Sequence, residues 1–112
     1  MSRDSILRPP EAQLPKTFSR IMERYPDYAA AVEQLGKTVS DAGPLDEKTA
    51  QLIQLAAAAG IRSEGAVHSH VRRARQAGAS MEEIQHSIIL LTSTIGLPAV
   101  MAALSWVEQS HE

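Results

Sequence analysis

The chain has 112 residues, a formal net charge of −2 and a pI near 6.1, with 44% hydrophobic and only 4% aromatic residues. That length suits one domain with a modest core, and the near-neutral balance leaves no electrostatic footprint for nucleic acid. With no cysteine present, disulfides, thiolate nucleophiles and cysteine-based metal sites are excluded. Met1-Ser2-Arg3-Asp4 leads toward prolines and not into an apolar h-region, and no apolar run approaches bilayer length. A cytoplasmic protein with no membrane partner is the expectation.

Taken in chain order, the pattern predicts helices throughout, an all-α single domain over residues 1–112 with about six helices. Residues 1–13 read as an extended segment, because Arg8 precedes Pro9-Pro10 and a residue before proline is pushed out of the helical region. Pro15 suits a first turn, and Phe18, Ile21, Met22 and Tyr25 then recur at helical spacing until Pro26. A second helix from about Asp27 to Asp41 is expected to bury Tyr28, Ala31, Val32, Leu35 and Val39. Gly43-Pro44 breaks the chain, and Asp46 is a candidate N-cap for a third helix that Gly60 ends. Ser63 caps a fourth, which Gly78 closes in a left-handed C′ position. Ser80 and Glu83 have the spacing of a capping box for a fifth helix. Gly96 interrupts it, and Pro98 opens the last helix, to about Gln109.

The fourth helix carries the chemistry. At about 100° per residue, Ser63, Ala66, Val67, His70, Val71, Ala74 and Ala77 share one side, and Glu64, His68, Arg72 and Arg75 the other. His70 is thus expected inward and His68 outward. An imidazole with an ordinary pKa near 6.5 among alanines and valines is the residue most suited to proton transfer. Gln51, on the alanine-rich third helix, is placed to fix its ring by a hydrogen bond, and Glu47 reaches the same region from one turn earlier. His68-x-His70 looks like a metal motif, yet residues two apart on a helix point about 200° apart, so no metal site is expected.

The fifth helix spreads Ile84, Ile88, Ile89, Leu90, Leu91 and Ile95 over more than one face, which calls for a second apolar surface. A homo-oligomer built through the last two helices, Trp106 included, is therefore expected. His86, set among those isoleucines, is expected to line an interface.

An ordered series runs Leu45-Asp46-x-Lys48-x-x-Gln51-Leu52-Ile53, Gly60, His70-Val71-x-x-Ala74, Ala77-Gly78-Ala79-Ser80-x-Glu82-Glu83-Ile84 and Gly96-Leu97-Pro98. It resembles the carboxymuconolactone decarboxylase family, which includes the AhpD-type alkylhydroperoxidases, over roughly residues 18–108. The resemblance implies an all-helical AhpD-like fold assembled as trimers or hexamers, acting without a cofactor. The family's redox branch uses a glutamate, a C-x-x-C pair and a histidine, and these fall here on Gln51, Ser63, Ala66 and His70. Only the histidine is retained, so thiol peroxidase activity is not expected. The decarboxylase branch resembles His70-Val71-Arg72 with Glu64 shortly before it, and implies a lyase acting on a small organic acid or lactone. His70, Gln51 and Ser63 are the catalytic candidates, and Glu64, Glu47 and His86 the candidates for substrate binding. The alternative is a non-catalytic helical oligomer that binds a small ligand or partner.

Overall fold

The computed structural model describes residues 14–111, with side-chain surroundings for residues 16–110; the expected extended segment at 1–13 lies outside them. Among the described residues the chain is all-helical, with no strand. The helices are α1 (Leu14–Arg24), α2 (Pro26–Ser40), α3 (Glu47–Gly60), α4 (Glu64–Gln76), α5 (Met81–Ile89), a single turn α6 (Thr92–Ile95) and α7 (Leu97–His111). Backbone contacts divide the chain between Pro44 and Leu45, at the break that Gly43-Pro44 marks in the sequence.

In the first unit, α1 and α2 touch each other, with Pro26 in the first turn of α2. The expected burial does not occur. No residue of α2 is buried, and Phe18, Tyr25, Tyr28, Leu35 and Val39 are all more than half exposed. Two helices cover only the seam between them, and apolar stripes this wide need further surface to close over them.

In the second unit α3, α4, α5 and α7 each touch the other three. Leu55, Val67, Val71, Ile84, Ile88, Val100 and Val107 are fully buried between them, each stabilising by about 1.5–3 kcal/mol relative to an exposed side chain. Ala58, Ala59, Ala74 and Ala103 join the same core and let the helices approach closely. Trp106 packs against it while staying partly exposed.

The helix ends explain how α3 and α4 are held. Asp46 accepts from the Thr49 N–H at 2.7 Å, and Ser63 Oγ accepts from the Ala66 N–H at 3.4 Å. The Ser80–Glu83 capping box is complete, at 3.0 and 2.9 Å, and Lys48 Nζ reaches Glu83 at 3.0 Å to tie α3 to α5. After α4, Gly78 turns left-handed at φ 96°, while Ala79 N–H donates to Ala74 C=O at 2.9 Å and Gly78 N–H to Arg75 C=O at 3.0 Å. After α3 the same motif forms, with Ser63 N–H on Ala58 C=O at 3.0 Å and Arg62 N–H on Ala59 C=O at 3.1 Å. There the left-handed residue is Arg62, at φ 57°, and not Gly60, which is the last residue of α3. A side chain is therefore held in a conformation that glycine adopts freely, one residue ahead of the α4 cap.

Candidate functional site

The contact between α3 and α4 creates the site. Gln51 is the one buried polar side chain among the described residues, at 7% exposure. Its Nε2 donates to Glu47 Oε1 at 3.0 Å, and its Oε1 lies 2.9 Å from His70 Nδ1. The carboxylate only accepts, so it fixes which end of the amide faces it and turns the amide oxygen toward the ring. His70 Nδ1 is then the donor, and the proton of the neutral ring sits there. Nε2 is left with its lone pair.

Electrostatics favour that neutral form. Partial burial removes water from the His70 ring and pushes its pKa below the usual value, and the positive charge of Arg73 adds to the effect. Arg73 does not figure among the candidates read from the sequence, where the resemblance involves Arg72. The signal lay in the spacing, because position 73 is one turn beyond His70 and position 72 points about 200° away.

Ser63 and Glu64 are not gathered around His70. Ser63 caps α4, and its hydroxyl serves Ala66 N–H. Seven residues separate it from His70, about 10.5 Å along the helix axis. Glu64 lies on the other face, with its Oε2 3.6 Å from His68 Nε2. His86 is exposed on α5.

His68 departs from the outward expectation. Its side chain is 27% exposed, and Nδ1 is hydrogen-bonded to Ser110 Oγ near the end of α7. The Ser110 hydroxyl donates to the Trp106 carbonyl at 2.8 Å, which makes its oxygen the acceptor from the ring. Nothing local in α4 announces this contact, because it depends on where α7 crosses. The two histidines thus serve opposite faces of one helix with separate partners.

Residues 26–109 match the carboxymuconolactone decarboxylase family. The chain belongs to that family. The family match spans α2 to nearly the end of α7, so it includes Glu47, Gln51 and His70. The chain is also similar to the uncharacterized protein MJ1511 of Methanocaldococcus jannaschii, 30% identical over 89 residues, covering 80% of this chain and 83% of that relative. No solved structure matches it. This member of the carboxymuconolactone decarboxylase family has no cysteine, and within the matched region Glu47, Gln51 and His70 form one hydrogen-bonded group.

Proposed function

We propose that the chain is a lyase-like member of the carboxymuconolactone decarboxylase family, acting on a small organic acid or lactone with His70 as its acid/base group. The observation that carries this reading is the Glu47–Gln51–His70 chain, which orients the ring through Nδ1 and leaves Nε2 as its basic atom. When a carboxylate departs as CO₂, its bonding electrons pass into an enolate, which then takes a proton at carbon. Protonated Nε2 delivers that proton and regains it from solvent or from the substrate's own acid group. The Gln51 amide oxygen receives the Nδ1–H bond in both states and steadies the ring while its charge changes. Unlike a carboxylate, the amide does not take the Nδ1 proton, so transfer is confined to Nε2. Arg73 supplies a positive charge for a substrate carboxylate.

Thiol peroxidase chemistry has no place in this reading, since no thiolate is available to attack a peroxide. The reading includes a cytoplasmic homo-oligomer, a trimer or hexamer, supported by exposed Phe18, Tyr28, Leu35, Ile53 and Met101 on the protomer. No described helix is long and apolar enough to cross a membrane.

The test is a panel of lactone acids and keto acids followed by CO₂ release and by deuterium incorporation from D₂O. Turnover by the native chain that falls at least about a hundredfold in His70→Asn, with folding retained, supports the proposal. Turnover unaffected by that substitution, or turnover of an alkyl hydroperoxide, contradicts it. Folding and ligand binding with no turnover across the panel favour the non-catalytic alternative.

A further inference from the structure

The arginines of α4 are divided between its faces. Arg73 acts on His70, whereas Arg72 and Arg75 line a separate cavity of about 470 Å³ on the His68 side. That volume falls within the range of small-molecule sites, about 300–1,000 Å³. Val71 and Met81 give the cavity apolar wall, and Arg72, Arg75 and Gln76 supply donors around it. His68 and Ser110 complete the lining.

We propose that this cavity is a second binding site, for a small organic carboxylate with an apolar body. No carboxylate lines it, and among the described residues neither Arg72 nor Arg75 is ion-paired. The neighbouring acid, Glu64, faces His68 Nε2 at 3.6 Å and is not part of the lining. Residues 68, 72 and 75 fall within about 60° of one another on the helix, so both guanidiniums reach one side of the cavity. A guanidinium fork matches the two oxygens of a carboxylate, and such a pair is strongest beside a surface that excludes water. Val71 is almost fully buried and Met81 partly so, and together they give that surface.

Ser110, His68 and Glu64 have the residue types of a hydrolytic triad, but the hydrogen bonds run the wrong way. The Ser110 proton is directed to the Trp106 carbonyl at 2.8 Å, so the ring does not activate the hydroxyl. His68 and Ser110 instead brace α4 against the end of α7 and form part of the cavity wall.

This site stands apart from the His70 reading, and one titration separates the two. Benzoate, hexanoate and inorganic phosphate are each added to the native chain while the Met81 methyl and the arginine Nε–H signals are followed by NMR. Saturable binding of benzoate and hexanoate is expected, with the Met81 methyl shifting. Arg72→Gln/Arg75→Gln weakens it about tenfold or more, and each single substitution weakens it less. His70→Asn leaves it unchanged. Both arginines are exposed, and a melting curve of each variant verifies its fold. Three results overturn the proposal: no saturable shift, equal binding of phosphate with Met81 silent, or loss of binding in His70→Asn and not in the arginine variants.

Discussion

Gln51 Oε1 and His70 Nδ1 meet at 2.9 Å across the contact of α3 with α4, and the Glu47 carboxylate holds the amide from its other end at 3.0 Å. This relationship turns a buried side chain into a device that selects one tautomer of a half-buried imidazole. It also separates the chain from a redox relay. A glutamine passes on orientation and does not carry protons.

The amide itself is testable by two replacements of similar size. Gln51→Leu leaves Nδ1 without its acceptor and is expected to cost about 1–2 kcal/mol in urea unfolding. Gln51→Glu supplies a charged acceptor and should raise the His70 pKa above its native position, read by NMR titration. A His70 titration identical in both variants and the native chain would show that residue 51 does not govern the ring.

Stability should depend on pH through His70, with a definite sign. Burial first, and then Arg73, lower the His70 pKa in the folded state. The unfolded chain therefore binds more protons below the ordinary histidine value, near 6.5, and stability rises with pH across that window. The contribution is fully present above about pH 6.5 and is lost as pH falls through the folded-state pKa. Urea midpoints from pH 5 to 8 should show a slope that flattens in His70→Asn. The same slope in both proteins would assign the dependence to other groups.

Arg62 offers a gain in stability. Its left-handed φ of 57° is unfavourable for any residue with a Cβ. Arg62→Gly should stabilise by about 0.5–1 kcal/mol, after allowance for the greater freedom of glycine in the unfolded chain. A lower melting temperature for this variant would mean that the arginine side chain contributes more than its backbone costs.

Leu55, fully buried in the core that α3 shares with α4, α5 and α7, tests the packing that carries the site. Leu55→Ala should destabilise by about 2–5 kcal/mol in equilibrium unfolding. A loss under about 1 kcal/mol would indicate that the unit collapses around the missing side chain.

Much of this architecture was legible because it is encoded locally. Asp46, Ser63, Ser80 with Glu83, and Gly78 occupy cap positions that their own side chains or backbone freedom determine, and the helical repeat sorted Val67, Val71 and Ala74 inward. The left-handed residue after α3 was not legible, because sequence preference favours Gly60 and the turn instead places Arg62 there. Likewise the apolar stripes of α1 and α2 signalled surfaces to be covered without saying what covers them. At the site, helical spacing found His70 and its neighbours Gln51 and Glu47. It missed Ser110, forty-two residues from His68, because that contact is made only when α7 crosses α4.

The state of the His70 ring at neutral pH is the decisive quantity, and long-range ¹H–¹⁵N correlation of the imidazole reads it directly. A neutral ring with its proton on Nδ1 and a bare Nε2, switching to the other tautomer or a mixture in Gln51→Leu, is the expected spectrum. A neutral ring that carries its proton on Nε2 in the native chain, with Nδ1 bare, would contradict the assignment of Nε2 as the atom that moves the proton.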